Sequence, residues 1–438
     1  MVRALIIGLV RFALRTFYRV RSMGGEVPAD GPVILVANHP NALADPVMVM
    51  IASRRPVRFL GKEPLLRMPV LGWVIRTIGM IPVYRPQDGA DTQKNAEAFR
   101  AVEEALHESS LIAIFPEGKS HDEPALQRLK TGAARMALGA DPARAGEVRI
   151  VPVGLVYADK PKFRSKAAIW IGEPVDGGDL RAGIHDEDSH WKAVEELTAR
   201  VDRGLQQVTV NLDAWEDWEL LLLAQRIWRP ARGERRVERL SALASAARTL
   251  RRSDPEQFES LARRVDALRL ALDELGLPAD RLDQHYRPWK VLRYLLRELA
   301  TIALGAPLTL AVLLFWLPLY LVVKIGVRLG RPSRDLHATV KVLAFATLFP
   351  FYLGTLATLV GMRFGAAYGL ALAIAAPLLG RLALPVFEEH LRLVREIRRF
   401  LRHVTASRMR RQLIAERDAI AAQFDALADG GTSPARGA

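Results

Sequence analysis

Three long apolar runs in the C-terminal half constrain this chain more than any other feature. They cover residues 303–323, 342–362 and 364–387, and Arg381 interrupts the last one. Each is near the roughly 20 residues that a helix needs to cross the hydrocarbon core of a bilayer. Burial inside a soluble protein is the alternative, but three such runs in succession argue against it. We therefore expect membrane-embedded segments over residues 299–387.

The basic residues around these runs predict an unusual topology. Lys and Arg are concentrated in both flanks of the first run, 287–297 and 324–341. Because cytoplasmic flanks of membrane segments are enriched in Lys and Arg, both ends are expected in the cytoplasm. Pro307 and Pro318 could bend this run into a re-entrant segment or an in-plane helix. The other two runs, separated by the turn around Arg363, predict a hairpin; a spanning first run is the alternative.

The composition of the chain indicates which kind of partner it binds. Of the 438 residues, 50% are hydrophobic, yet the net charge is +14. This pairing indicates an anionic partner, either a membrane surface or nucleic acid. No aromatic-interleaved or recognition-helix motif supports nucleic acid, so we expect membrane lipids. The chain has no cysteine, which excludes disulfides, Cys-ligated metals and a thiol nucleophile. We find no metal-ligand spacing and no convincing signal peptide, and we expect no resident metal or cofactor.

The N-terminal residues 1–22 have the pattern of an amphipathic interfacial helix. Arginines occupy one side and apolar residues the other: Arg3, Arg11, Arg15 and Arg19 against Ile6, Leu9, Ala13 and Phe17. Helices of this kind lie in the headgroup plane of an anionic bilayer. Docking of the helix on the protein's own core is the alternative.

Residues 23–210 alternate short apolar strands with helical stretches. The predicted strands are 33–37, 57–61, 81–84, 111–115, 148–157 and 167–172, with helices at 92–108 and 130–139. Strands this short and apolar do not face solvent. The pattern predicts an α/β fold in which helices cover both faces of a sheet.

Two further regions complete the predicted organisation. Residues 211–298 have helical spacing with charged faces, which indicates a helical subdomain; a coiled coil or a partner-docking role is the alternative. Residues 388–438 are predicted to form a basic helix that contacts lipid headgroups, followed by a disordered tail.

A histidine and an aspartate follow the first predicted strand. His39 and Asp45 are six positions apart, which would put them on different faces of a continuous helix. Pro40 and Pro46 favour a shaped turn instead, in which the carboxylate can hold the imidazole ring. A histidine held in this way is suited to act as a general base near neutral pH. A surface turn without chemistry is the alternative.

Basic residues also gather after the predicted strands. Lys119 follows the strand at 111–115, and Lys130 precedes a helix whose free N-terminal amides could bind an anion. Each of these features is weak evidence alone.

Four ordered segments together resemble the glycerolipid acyltransferase family, of the 1-acylglycerol-3-phosphate and glycerol-3-phosphate acyltransferase type. They are Asn38-His39…Asp45, Gly79 to Arg85, Phe115 to Gly118 and Val151 to Gly154, and Gly172-Glu173-Pro174, also familiar in that family, follows them. The resemblance implies an acyltransferase domain over residues 23–210. Five residues separate the His and the Asp here instead of the usual four, and Lys119-Ser120-His121-Asp122 replaces the usual Thr-Arg-Ser. Both variants resemble the branch that includes eukaryotic-type glycerol-3-phosphate and dihydroxyacetone-phosphate acyltransferases.

The resemblance also implies roles for individual residues. His39 would be the base and Asp45 would orient it. The acceptor phosphate would be held by Arg85, Glu117 and Gly118, with Lys119 and Lys130 beside them. Val151, Pro152 and Val153 would shape the acyl site or the core.

These residues predict a direct acyl transfer in phospholipid biosynthesis. His39 would deprotonate the hydroxyl of glycerol 3-phosphate or lysophosphatidate, which attacks an acyl thioester of coenzyme A or acyl carrier protein. No cysteine or Gly-x-Ser-x-Gly nucleophile is present to form an acyl-enzyme. The expected location is the cell (inner) membrane, multi-pass or re-entrant, with the catalytic domain facing the cytoplasm. The rival hypothesis is a non-catalytic membrane scaffold or lipid-binding protein that keeps the fold.

Overall fold

The computed structural model of the chain describes residues 2–68, 71–84, 93, 95–213, 217–228, 236–275, 279, 282, 288–331, 337–383, 386 and 407–430. The chain forms two compact units. One comprises Met1–Asp213 with Gly330–Leu343, and the other comprises Ala214–Leu329 with Ala344–Ala438.

The first unit is built on a seven-stranded mixed sheet with the order β1-β7-β6-β2-β5-β3-β4. The strands are β1 (Tyr18–Gly24), β2 (Val33–Ala37), β3 (Val57–Lys62), β4 (Ile81–Val83), β5 (Leu111–Ile114), β6 (Arg149–Tyr157) and β7 (Ser165–Ile171). Strands β6, β2, β5, β3 and β4 run parallel, whereas β7 is antiparallel to β6 and β1 is parallel to β7. All six predicted strands are present.

Helices cover both faces of this sheet. They are α1 (Val2–Phe17), α2 (Ala44–Ala52), α3 (Leu71–Ile78), α4 (Asn95–His107), α5 (Gly132–Gly139), α6 (Pro142–Ala145), α7 (Gly178–Arg181) and α8 (Glu187–Val208), with a 3₁₀ turn at Glu63–Arg67. Within β2, Val33 and Leu35 pack towards α1 and α2, while Ile34 and Val36 pack towards α4, α5 and α8. Every residue of β2 is therefore buried, as a central parallel strand requires. The prediction of an α/β sheet covered by helices is confirmed.

The first helix ends earlier than the sequence indicates. Residues 18–22, predicted as helical, belong instead to β1, which pairs with Ser165–Ile171. The pairing satisfies the backbone of β1 at the sheet edge, so the helix ends at Phe17.

Helix α1 presents two different apolar faces. Ile6, Leu14 and Phe17 are buried in the core, so the helix docks on its own domain, the alternative considered above. A second apolar face is exposed and is formed by Val2, Leu5, Leu9 and Phe12. Ile6 and Phe17, which were predicted to face the membrane, therefore pack against the domain. The second apolar face of α1 stays exposed at the surface.

The second unit contains a helical core that includes the last described helix. Its helices are α9 (Asp217–Ile227), α10 (Arg236–Ser253), α11 (Pro255–Leu275) and α15 (Ser407–Gly430). Leu268 of α11 and Ile420 of α15 are buried together, and Arg264 pairs with Glu416 at 2.8 Å. Residues 388–406 of the predicted basic helix lie outside the described residues, and its remainder belongs to α15, which packs within this core.

Three helices contain stretches long and apolar enough to cross a membrane: Gly305–Gly330, Thr339–Phe364 and Ala366–Ala383. The first lies within α12 (Pro288–Gly330), which continues through Pro307 and Pro318 without a break. Neither proline interrupts the helix, whereas a segment that doubles back on itself would need such an interruption. The other two, α13 (His337–Phe364) and α14 (Ala366–Ala383), are joined at Gly365 as a hairpin.

Candidate active site

Three parallel strands of the first unit end at the same edge of the sheet. Strand β2 leads into Asn38 and His39, β5 leads into Phe115 and Glu117, and β6 ends at Tyr157. The carboxyl ends of parallel strands are where ligands bind in open α/β sheets. The residues of the Asn-His and Phe-Pro-Glu-Gly segments meet there.

His39 and Asp45 form the predicted pair. The Nδ1 atom of His39 lies 2.9 Å from Oδ2 of Asp45, whose side chain has no solvent exposure (0%), while that of His39 is 18% exposed. A carboxylate on Nδ1 holds the proton of a neutral imidazole at that nitrogen. The Nε2 atom then has a lone pair with which to accept a proton from a substrate.

The loop between the two residues explains how they meet. Ala42 has a φ of 37°, and the amides of Ala44 and Asp45 donate to the carbonyls of Asn41 and Ala42 at 2.9 and 3.3 Å. This tight turn reverses the chain just before α2 begins. The prediction of a shaped turn is confirmed, and the left-handed Ala42 lies among the five residues between His39 and Asp45.

The segment after β5 holds the backbone of His39 from both sides. Oε1 of Glu117 accepts a hydrogen bond from the His39 amide at 2.8 Å. The carbonyl of His39 accepts another from the amide of His121 at 3.1 Å. The ring of Phe115 stacks on the imidazole with centroids 4.1 Å apart. The Phe-Pro-Glu-Gly segment therefore holds His39 in position.

This geometry changes the role expected for Glu117. Its side chain has no exposure (0%), and Oε2 is bonded to the amide of Gln127 at 2.8 Å and to Nε2 of His121. A buried carboxylate with these partners would repel a phosphate. The structure supports a positioning role for Glu117 in place of acceptor binding.

Lys119 and Lys130 flank the segment that holds His39, and both are exposed. The amide of Lys130 donates to the carbonyl of Pro116 at 2.9 Å. The Lys130 side chain lies across Gly118, where an added Cβ would come within 2.6 Å of Nζ. Gly118 has a φ of 74°, so this position needs glycine for both conformation and space. The predicted residues Gly118, Lys119 and Lys130 thus share one surface.

The Val-Pro-Val segment belongs to the core. Val151, Pro152 and Val153 are buried in β6, and Pro152 and Val153 pair with Val36 and Ala37. Of the two roles considered for this segment, burial supports the structural one. Just beyond it, the Asn38 amide bonds the backbone of Leu155, accepting at 2.7 Å and donating at 3.0 Å.

Arg85 lies outside the described residues. The described chain reaches Tyr84, whose amide and carbonyl bond the side chain of Asn95 at 2.9 and 2.7 Å. Among the described residues, no group of three or more His, Cys, Asp or Glu side chains could hold a metal ion.

A buried tyrosine beside Asp45 was not anticipated from the sequence. The hydroxyl of Tyr157 donates to Oδ1 of Asp45 at 2.6 Å. Tyr18 lies next to it, accepts from the Asn41 side chain at 3.0 Å and donates to the Lys160 carbonyl. Burial, followed by the charge of Asp45, raises the pKa of Tyr157 well above its usual value. The one sequence feature that could have indicated this contact was the position of Tyr157, a residue with a polar group, at the end of the predicted strand 148–157.

Comparison with known proteins agrees with these motifs. Residues 19–156 match the family model described as Acyltransferase. The chain is 38% identical over 148 residues to glycerol-3-phosphate O-acyltransferase 2 of Saccharomyces cerevisiae, which covers 33% of this chain and 19% of the yeast protein. Glycerol-3-phosphate O-acyltransferase 1 of the same yeast is 30% identical over 301 residues, covering 49% of this chain and 39% of the relative. This chain thus spans less than half the length of either.

Among solved structures, the chain is similar to the 1-acyl-sn-glycerophosphate acyltransferase PlsC of Thermotoga maritima. It is 24% identical with a TM-score of 0.35, and the match covers 47% of this chain and 79% of that chain. The motif resemblance and the family match agree: residues 19–156 match the Acyltransferase model, and the chain is similar in sequence to glycerol-3-phosphate acyltransferases.

Proposed function

We propose that this protein transfers a fatty acyl group from an acyl thioester to the hydroxyl of a glycerol-phosphate acceptor. The observation that carries the proposal is the His39–Asp45 pair, in which a 2.9 Å contact engages Nδ1 and leaves Nε2 to act as the base. Nε2 takes the hydroxyl proton as the oxygen attacks the thioester carbonyl. The C–O bond forms, the C–S bond breaks, and the proton passes from the imidazolium to the leaving thiolate. A thiol with a pKa of about 8.5 leaves with little acid assistance.

The acceptor phosphate is assigned to cations near this edge. Lys119 and Lys130 are exposed beside the segment that holds His39, and Arg85 follows β4 in the sequence. Lysine and arginine bind phosphate through charge-assisted hydrogen bonds. The names of the relatives include both glycerol-3-phosphate and 1-acyl-sn-glycerol-3-phosphate acyltransferases, so both acceptors are candidates.

The proposed location is the cytoplasmic face of the cell membrane. The first turns of α13 belong to the first unit: Thr339 accepts from the amide of Leu43 at 3.2 Å, and Lys341 donates to the Pro161 carbonyl at 2.6 Å. Among described residues, no candidate span precedes Gly305. We therefore propose that both flanks of α12 are cytoplasmic and that α12 lies in the plane of the membrane. Only the α13–α14 hairpin crosses and returns, so all basic flanks stay in the cytoplasm.

A non-catalytic scaffold that keeps the fold is the competing function. A scaffold would need neither the His39–Asp45 contact nor the bonds that hold the His39 backbone. Their joint presence favours an enzyme.

An acyl-transfer assay with purified protein tests the proposal. Acyl-coenzyme A and acyl carrier protein donors are offered with glycerol 3-phosphate or lysophosphatidate separately, and released thiol is read with a thiol reagent. The protein contributes no background because it has no cysteine. We expect acylated product and a stoichiometric amount of free thiol with at least one combination of donor and acceptor. Lipid binding without thiol release from any combination would support the scaffold function.

A further inference from the structure

The Asp45 carboxylate is held by donors on both of its oxygens. Oδ2 accepts from His39 Nδ1 at 2.9 Å and from the amide of Asn41 at 2.7 Å. Oδ1 accepts from the hydroxyl of Tyr157 at 2.6 Å. Rotation of the carboxylate would break a bond on each side. The orientation of Asp45 therefore depends on β6 as well as on its own loop.

Tyr157 can only act as the donor in this contact. An ionised carboxylate only accepts hydrogen bonds, and a bond to a charged group is stronger than one between neutral groups. Burial and the neighbouring negative charge keep the phenol protonated well into the alkaline range. The phenol therefore remains a hydrogen-bond donor to Asp45 at neutral pH.

We propose that Tyr157 is a positioning residue for the base, which fixes the Asp45 carboxylate and moderates its attraction for the His39 imidazolium. The inference rests on the proposed acyl transfer and assigns a specific part of that chemistry to β6. If Tyr157 only filled the core, its ring would matter and its hydroxyl would not. The hydroxyl is therefore the group to test.

The surroundings provide a matched control. Tyr18 is also buried, and its ring centroid lies 5.2 Å from that of Tyr157. Its hydroxyl bonds Asn41 and Lys160 and does not contact Asp45 directly. The other titratable groups near the pair are Glu117 and His121, which hold the His39 backbone, and Asp159, whose charge acts on Tyr18.

The experiment compares Tyr157→Phe with Tyr18→Phe in the full-length protein. We expect Tyr157→Phe to lower kcat roughly 10- to 100-fold, the factor that corresponds to a lost hydrogen bond to a charged group, with both KM values little changed. Without the phenol, the Asp45 charge is less neutralised and holds the imidazolium more strongly. The acid limb of the pH–rate profile should then move to higher pH by about half a unit or more. Tyr18→Phe should lower the melting temperature but leave that limb in place.

Two further measurements keep the test decisive. If Tyr157→Phe does not fold, a fluorinated tyrosine can replace Tyr157. Its hydroxyl is a stronger hydrogen-bond donor, so the acid limb of the pH–rate profile should move to lower pH.

Nuclear magnetic resonance of ring-labelled histidines measures the titration of the His39 ring without turnover. The His39 signal is identified by its loss in His39→Gln. A protein with no acyl transfer would overturn the proposed function while this titration still tests Tyr157. An unchanged His39 titration in folded Tyr157→Phe would overturn the inference.

Discussion

The arrangement around His39 concentrates the proposed chemistry on one ring nitrogen. The ring is held by Asp45 at Nδ1, by Phe115 through stacking, and by Glu117 and His121 through the backbone. Each of these contacts limits a different movement of the ring. A preorganised base of this kind does not need to reorganise when the substrate arrives.

Removal of the base should abolish most of the activity. His39→Ala is expected to lower kcat at least roughly 10³-fold, the scale for losing the base of a triad-like site. Asp45→Asn should impair turnover as well, because the amide no longer stabilises an imidazolium. Turnover is measured on protein whose melting curve matches the wild type. Activity near wild type in folded His39→Ala would exclude His39 as the base.

The revised role of Glu117 gives a prediction that separates positioning from binding. Glu117→Gln keeps only one acceptor oxygen, so its NH2 group must face either the His39 amide or the Gln127 amide, where the carboxylate accepted from both. We expect kcat and the melting temperature to fall with the acceptor KM unchanged. Lys130→Met should instead raise the acceptor KM. If Glu117→Gln raised only the acceptor KM, Glu117 would be assigned again to binding of the acceptor phosphate.

At the scale of single residues, the sequence motifs predicted the contact between His39 and Asp45. They did not predict contacts that form only when strands from distant parts of the chain pair in the sheet. His39 and Asp45 are close in sequence, so the turn between them could be foreseen. Tyr157 reaches Asp45 only because β6 lies beside β2, a pairing between residues more than 100 positions apart. Contacts between distant residues leave no local pattern in the sequence. For the same reason, the stacking of Phe115 on His39 could not be predicted.

At the scale of elements, buried strands were the most predictable. Strand β2 is apolar at every position, which is typical of a strand covered on both faces. The edge strand β1 was missed, because Arg19 and Arg21 continue the basic pattern of α1 and are exposed at the sheet edge. Only its pairing with β7, from a distant part of the chain, makes it a strand.

The α13–α14 hairpin depends on a close approach that can be tested with a single methyl group. A Cβ on Gly369 would lie 2.4 Å from the carbonyl of Ala357 and 3.1 Å from Cα of Gly361, whereas Gly354 has nothing within 4 Å. Small residues allow this contact between membrane helices. Gly369→Ala should lower the melting temperature in detergent by at least roughly 3 °C relative to Gly354→Ala. Equal melting temperatures would show that the two helices are not packed this closely.

At the scale of the whole molecule, the proposed topology makes every basic flank cytoplasmic. Single cysteines can be introduced without background because the chain has none. Ser333→Cys and Ala406→Cys should react with an impermeant thiol reagent only from the cytoplasmic side. Arg363→Cys, at the hairpin turn, should react only from the opposite side. Labelling of Ser333→Cys from outside would mean that α12 spans the membrane, and it would leave the acyltransferase proposal intact.

The bond between Leu43 and Thr339 also sets an order of events during synthesis. The two residues are 296 positions apart, and α12 lies between them. At about 5–20 residues per second, Thr339 leaves the ribosome roughly 15 to 60 s after Leu43. By then the first apolar helix has already left the ribosome. In the proposed topology, the loop that carries His39 and Asp45 therefore gains this anchor only after the nascent chain has met lipid. A growing chain that stalls before α13 would hold both proposed catalytic residues and lack this anchor.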